Sequence, residues 1–128
     1  MSTFTPMTAQ CRAKYLLHVD GNAYSASLKY KLACGSLVIA LRSWYHEWFY
    51  PGLEEGKHYV VVDSWAQFNA TLRRFRGDAG DAQARRIAAQ GMKFARQQLV
   101  PSARNCYWYH ALRHYLRLHP HSHRTERT

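Results

Sequence analysis

The sequence has few acidic residues and no long apolar run. Eighteen lysines and arginines stand against only eight aspartates and glutamates in 128 residues, which gives a formal charge of +10. No apolar stretch approaches the roughly 20 residues that cross a bilayer, so we expect no transmembrane segment in this chain. Most arginines fall in later segments with helical periodicity, where a solvated surface is the usual explanation. No nucleic-acid-binding motif accompanies the charge, and we expect no nucleic acid partner.

Cysteine is also scarce, and its count is odd. Cys11, Cys34 and Cys106 allow one disulfide and one thiol, or three thiols, and their spacing matches no zinc site. The first ten residues have neither the basic start nor the apolar stretch of a secretory signal, so the chain's own residues assign no compartment. We expect residues 1–10 to be disordered and the length to suffice for a single domain.

Apolar runs that alternate with helical periodicity predict a parallel sheet with helices packed outside it. Strands are predicted at residues 14–19, 36–41 and 58–63, the second and third of them buried. Helices are predicted from Ser25 or Ser27 to Cys34, from Ser64 to Arg74, at 81–99 and after Pro101, with a break at 77–80. The aromatic segment that ends in Pro51 and Gly52 predicts a short helical turn or an ordered loop.

The loop after the first predicted strand leads directly into a helix. A helix N-terminus favours an anion, because several backbone N–H groups there lack partners and the peptide dipoles add partial positive charge. Small residues, the hydroxyls of Ser25 and Ser27, and Lys29 or Lys31 would suit a diphosphate. However, a serine before a helix is usually only a cap, and the loop matches neither G-x-G-x-x-G nor the Walker motif. The residue pattern alone therefore favours a structural interpretation over a binding site.

Two longer stretches carry a resemblance to a known family. The run "KYLLHVDGNAYSASLKYKLACGSLVIALRSWYHEWFYPGLEEGKHYVVVD" and the later run "QGMKFARQQLVPSARNCYWYHALRHY" resemble the C-terminal half of glycosyltransferase family 90. That family includes fungal capsule-associated enzymes, plant relatives and animal protein O-glucosyltransferases of the Rumi type. The similarity covers residues 11–118. It implies an incomplete Rossmann-like C-terminal domain of a GT-B glycosyltransferase, with a helical C-terminus. The polar composition of residues 119–128 predicts a flexible tail.

The resemblance also implies which residues bind the donor, a UDP-sugar such as UDP-glucose or UDP-xylose, without a metal. The implied donor-binding residues are Gly21, Tyr24, Ser25, Ser27, Lys29 and Glu47. Glu47 would accept hydrogen bonds from ribose hydroxyls, since an ionised carboxylate is only an acceptor. The alternative for Glu47 is a solvated surface charge.

The chain departs from the family in two respects. Animal and many fungal members have arginine where Ser27 stands, whereas plant-type members resemble this chain in having serine there and lysine two residues on. Lys29 would then neutralise the phosphates, as a point charge without the fork of arginine. Members are also several times longer, so we expect the acceptor-binding half and the general base to lie outside this chain. We assign no catalytic residue, and we interpret Asp20 and Asp63 as turn or cap residues.

The resemblance further implies a disulfide between Cys11 and Cys34, an unpaired Cys106, and the lumen of the endoplasmic reticulum or Golgi for a full-length form. A disulfide requires an oxidising compartment. We interpret the sequon at Asn69 as a chance match within a helix. His119, His121 and His123 are interpreted as part of the flexible tail rather than as metal ligands.

These observations predict the donor-binding part of a glycosyltransferase that transfers a hexose or pentose to a protein or glycan hydroxyl and is not active alone. One alternative is a truncated, non-catalytic remnant that binds a partner through its aromatic surface. A basic nucleic-acid-binding module is a further alternative, supported by net charge only.

Overall fold

Three parallel strands and five α-helices lie within residues 6–120, the part of the chain that the computed structural model describes. The elements are α1 (Met7–Gln10), β1 (Tyr15–His18), α2 (Leu28–Ala33), β2 (Leu37–Leu41), a 3₁₀ turn (Tyr50–Gly52), β3 (Val60–Val62), α3 (Trp65–Arg76), α4 (Asp78–Gln98) and α5 (Pro101–Leu118). The start that was predicted to be disordered therefore contains one helical turn. The tail residues His121 and His123 lie outside the described residues, whereas His119 ends α5 with its ring 4.5 Å from that of Tyr115.

The sheet confirms the predicted α/β class and parallel topology. Its order is β1-β2-β3, with Tyr15 opposite Leu37 and Ile39 opposite Val60. The four residues at 37–40 in β2 are buried, as expected for a central strand covered on both faces. In β3 only Val62 is buried, so the third strand is less buried than predicted.

The two faces of β2 lead into two hydrophobic clusters. Val38 and Ala40 belong to one cluster with Leu28 and Leu32 of α2, and Leu37 and Ile39 belong to the other. This division follows from the strand geometry, because successive side chains point to opposite faces. The second cluster is completed by Phe75, Ala84 and Ile87 from α3 and α4. The sheet thus lies between α2 with the aromatic segment on one side and α3 with the first half of α4 on the other, while Ala95 in the second half of α4 packs into the first cluster.

Glycine ends α2 as predicted. Gly35 has a φ of +71°, in the left-handed region where glycine has no steric penalty, and its N–H donates to the carbonyl of Leu32 at 3.4 Å. Ser64 is the predicted N-cap of α3, since its hydroxyl accepts from the N–H of Gln67 at 3.2 Å. The end of α2 and the start of α3 are therefore both set by a residue next to the helix.

The predicted break between α3 and α4 is wrong in extent. Only Gly77 separates the two helices, and Gly80 lies inside α4. A Cβ atom at Gly80 would lie 2.1 Å from the carbonyl oxygen of Arg74 and 2.8 Å from the Cα of Phe75. Gly80 therefore marks a close approach between two helices rather than a helix end.

The cysteines behave as the resemblance implies. Cys11 and Cys34 form a disulfide that joins the segment before β1 to the end of α2, and Cys106 is free and exposed on α5.

Helix α5 buries none of its residues, and its main aromatic contact with the body is between Tyr107 and Trp48, whose ring centroids are 5.7 Å apart. Among residues 6–120, no helix is both long and apolar enough to cross a membrane.

Replacing Gly80 with alanine should destabilise the protein by about 1–3 kcal/mol, because the new methyl group overlaps the backbone of α3. At an exposed site within a helix the same replacement would stabilise the protein, because alanine favours a helix by about 1 kcal/mol over glycine. Urea denaturation of Gly80→Ala measures the effect. Gly77→Ala is the matched control, because its Cβ would meet only an ordinary contact at 3.6 Å. A Gly80→Ala variant as stable as the wild type contradicts the prediction.

Reduction of the disulfide should lower the free energy of unfolding by about 3 kcal/mol, because it opens a loop with a sequence separation of 23 residues in the unfolded chain. Urea denaturation with and without a reductant measures this difference. Cys106→Ser should show the same difference, since that thiol is free. Superimposable curves for the oxidised and reduced wild type would show that the bond does not constrain the unfolded chain.

Candidate functional site

Two loops meet at the carboxyl edge of the sheet, one after β1 and one after β2. Asp20 joins them: its Oδ1 accepts from the N–H of Ser25 at 3.2 Å, and its Oδ2 accepts from the hydroxyl of Ser43. The carboxylate is therefore engaged in holding loop geometry, as its interpretation as a turn residue predicts. Asp63 is likewise paired, because its Oδ1 accepts from Nε of Arg42 at 2.5 Å.

The two predicted serines contact each other. The Oγ atoms of Ser25 and Ser27 are 2.9 Å apart, and Ser27 Oγ is 3.3 Å from Nδ1 of His18. Ser27 occupies the N-cap position of α2, but its side chain caps no backbone N–H. Only its carbonyl serves the helix, by accepting from the N–H groups of Tyr30 and Lys31. The capping interpretation is therefore wrong for the Ser27 hydroxyl, which instead contacts the hydroxyl of Ser25 and the imidazole of His18.

Lys29 and Glu47 form an ion pair across the site. Nζ of Lys29 lies 3.2 Å from Oε2 of Glu47, with side chains 30% and 12% exposed. The other oxygen of Glu47, Oε1, is buried and has no hydrogen-bond partner among residues 6–120. Glu47 is therefore not a freely solvated charge, and it keeps one acceptor atom available. Since an unpaired buried acceptor costs about 1–3 kcal/mol, a hydroxyl donor at this position would be stabilising.

Lys31 differs from Lys29, although only one residue separates them. Its Nζ donates to the main-chain carbonyl of Leu17 in β1 at 2.7 Å, and burial lowers the pKa of the ammonium group. This contact ties α2 to β1. Of the two cations that the sequence offers for the loop, only Lys29 pairs with the aromatic segment.

The remaining predicted residues, Gly21 and Tyr24, lie on the exposed loop. No described atom lies within 4 Å of a Cβ built on Gly21, so packing does not require glycine there. The Tyr24 side chain is 55% exposed and lines a cleft of about 350 Å³ together with Glu47, Trp48 and Tyr107. Tyr24 and Glu47 thus share one cleft, whereas nothing in the packing constrains Gly21.

His18 is a site residue that the sequence reasoning missed. It is the last residue of β1, is only 1% exposed, and contacts Ser27. Burial lowers the pKa of its imidazole to about 4; the charge of Lys31 lowers the pKa further, and Asp20 opposes both. The alternation of buried residues along β1 places His18 on the same face as Leu16, a signal that indicates burial but no role.

Metal binding has no candidate in the described residues. No group of three His, Cys, Asp or Glu side chains within residues 6–120 is placed to hold an ion. The polar groups of the site are instead the hydroxyls of Ser25 and Ser27, the imidazole of His18, the ammonium group of Lys29 and the carboxylates of Asp20 and Glu47. Such a set suits an anion with neighbouring hydroxyl groups.

Comparison with known proteins decides the family. The family model described as Glycosyl transferase family 90 matches residues 3–127. The chain belongs to glycosyltransferase family 90.

Individual relatives agree with this assignment. Protein O-glucosyltransferase 1 of Homo sapiens is 35% identical over 105 residues, which is 82% of this chain and 26% of the relative. O-glucosyltransferase rumi of Drosophila melanogaster is 33% identical over 111 residues, 84% of this chain and 26% of the relative. Protein O-glucosyltransferase 3 of Homo sapiens is 34% identical over 103 residues, 80% of this chain and 20% of the relative. The chain therefore spans about a quarter or less of the length of these relatives.

His18 should make the folded protein sensitive to acid. The folded state binds the imidazole proton only near pH 4, whereas the unfolded chain binds it near pH 6.5. Between these values the unfolded state holds more protons, so the free energy of unfolding should fall as the pH drops from 6.5 towards 4. The loss at pH 4 is on the order of 3 kcal/mol.

Urea denaturation at pH 7 and pH 4 measures this loss. His18→Asn has no titrating group at this position, so it should lose less stability between the two pH values than the wild type does. Carboxylates that titrate in the same range affect both proteins alike and cancel in the comparison. Equal losses in the two proteins would show that His18 is not held neutral by its burial.

Proposed function

We propose that this chain is the donor-binding part of a glycosyltransferase, which holds a UDP-sugar and acts with a separate acceptor-binding part. The observation that carries the proposal is the ion pair between Lys29 and Glu47. It joins the hydroxyl-bearing loop after β1 to the aromatic segment after β2. A cation for phosphate and a carboxylate for ribose thereby lie side by side.

The diphosphate is assigned to the loop. Ser25 and Ser27 are half-buried hydroxyls next to the start of α2, and the ammonium group of Lys29 carries three N–H donors. One donor faces Glu47, and the 30% exposure of the side chain leaves the ammonium group accessible to a phosphate oxygen. Pairing a charged donor with phosphate contributes about 1.5–3 kcal/mol.

The ribose is assigned to Glu47. Its buried Oε1 is an acceptor without a described partner, and the hydroxyls of ribose are donors of the complementary kind. The adjoining cleft of about 350 Å³, walled by Tyr24, Trp48 and Tyr107, offers space and aromatic surface for the rest of a nucleotide. UDP-glucose is the first donor to test, because the relatives are named as glucosyltransferases. UDP-xylose is the second.

The contribution to catalysis proposed for this chain is stabilisation of the departing UDP. Charge develops on the diphosphate as the glycosidic bond to the donor breaks, and preorganised hydroxyl and ammonium donors stabilise that charge. No general base is assigned, since Asp20 and Asp63 are both engaged in structural contacts. The acceptor, a protein or glycan hydroxyl, and the base that activates it are assigned to a part outside this chain.

The disulfide supports a location for the domain. A bond between Cys11 and Cys34 persists in an oxidising compartment and is rare in reducing ones. With the family resemblance, this supports our proposal that the activity takes place in the lumen of the endoplasmic reticulum or Golgi.

Isothermal titration of UDP and UDP-glucose into the chain tests the proposal. Lys29→Ala should weaken UDP binding about ten- to a hundredfold and Ser25→Ala about fivefold, in line with the loss of one charged and one neutral hydrogen bond. Lys93→Ala is the matched control, because Lys93 is exposed on α4 and no described hydrogen bond or ion pair joins it to the loop. The UDP affinity of this variant should stay within about twofold of the wild type. A wild-type chain that releases no binding heat with millimolar UDP would refute the donor site.

A further inference from the structure

A chain of polar groups leads from the protein core to the surface of the candidate site. It begins at His18, which is 1% exposed, continues through Ser27, whose Oγ is 3.3 Å from His18 Nδ1, and ends at Ser25, whose Oγ is 2.9 Å further on. Ser25 is held by a second contact, the hydrogen bond from its N–H to Asp20. The first contact holds the two hydroxyls next to each other and the second holds the backbone of Ser25, but heavy-atom positions leave the direction of the hydroxyl protons open.

The direction of the hydroxyl protons decides whether Ser25, at the outer end of this series of hydrogen bonds, attracts or repels an anion. If His18 Nδ1 carries the proton, it donates to Ser27, which leaves the Ser27 proton free for Ser25 and the Ser25 proton free to be directed outward. If Nδ1 is the acceptor, both hydroxyls donate inward, and Ser25 presents only lone pairs to the ligand. A phosphate oxygen is an acceptor, so only the first arrangement suits a diphosphate.

The surroundings of the other ring nitrogen of His18 are compatible with the first arrangement. Nε2 is buried and has no hydrogen-bond partner among residues 6–120. As a lone pair it can accept from a hydroxyl or water, and a cavity of about 50 Å³ lined by His18, Ser43, Tyr50 and Tyr59 has room and polar groups for a water molecule.

We propose that His18, as the tautomer protonated at Nδ1, is a positioning residue that turns the hydroxyl protons of Ser27 and Ser25 towards the diphosphate of the nucleotide sugar. This inference rests on the proposed donor site and names the group that prepares it. Burial and the nearby charge of Lys31 keep the ring neutral at physiological pH, against the opposing charge of Asp20. The neutral ring has one donor and one acceptor, and with the donor at Nδ1 the Ser27 proton is not needed by the ring and can be donated to Ser25.

Three variants test the inference by UDP titration. An asparagine side chain brings an amide N–H close to the position of Nδ1, so His18→Asn should bind UDP within about twofold of the wild type. His18→Leu lacks any donor and should bind about five- to tenfold more weakly. Ser27→Ala should lose a similar factor, and the double variant His18→Leu/Ser27→Ala should lose no more than either single variant, because both break the same chain. Thermal melting of each variant confirms that it is folded at the titration temperature.

The ring nitrogens of His18 can be observed directly by ¹⁵N NMR at pH 7 without nucleotide. Protonation at Nδ1 supports the inference, and protonation at Nε2 overturns it. A wild-type chain that binds UDP while His18→Leu binds equally well overturns this inference alone, as does an additive loss in the double variant. Absence of UDP binding by the wild type refutes the donor site, and the inference falls with it.

Discussion

The packing of α2 against the sheet and α4 fixes the position of the candidate site. A six-residue helix is too short to be stable alone, so its placement depends on tertiary contacts. Leu28 and Leu32, at most 1% exposed, provide these contacts on the side of the sheet. Helix α4 approaches closely at Gly91, where a Cβ would lie 2.4 Å from the carbonyl oxygen of His58 and 3.2 Å from Leu32. This packing therefore determines the positions of Lys29 and of the Ser25 and Ser27 hydroxyls near the start of α2.

The direction in which each polar side chain points determines whether it stabilises the fold or remains available to a ligand. Lys31 fastens α2 to the backbone of β1, and Asp20 fastens two loops together. Lys29 leaves the opposite side of the same short helix and meets Glu47. Residues two apart on a helix point about 200° apart, which accounts for the different roles of the two lysines. The proposed donor site therefore consists of the groups whose hydrogen-bonding capacity is not consumed by the fold.

The strands, the glycine that ends α2 and the Ser64 cap could all be predicted from sequence, because each depends on neighbouring residues. Gly80 could not be assigned, since its role is set by the backbone of another helix. The family resemblance implied that Lys29 and Glu47 both bind the donor, but the ion pair between them, across 18 residues of sequence, was seen only in the structure. His18 was missed because a buried histidine in a strand resembles any other core residue until the contacts of its two nitrogens are known.

The bond between Cys11 and Cys34 makes one covalent ring of β1, the loop with its serines, and α2. The exposed stretch of that loop, around Gly21 and Tyr24, is the kind of segment at which proteases cut. A single cut there would leave both new ends attached through the sulfur atoms, so the two halves of the site could not diffuse apart. The disulfide thus keeps the two parts of the domain covalently joined after a cut in this exposed loop.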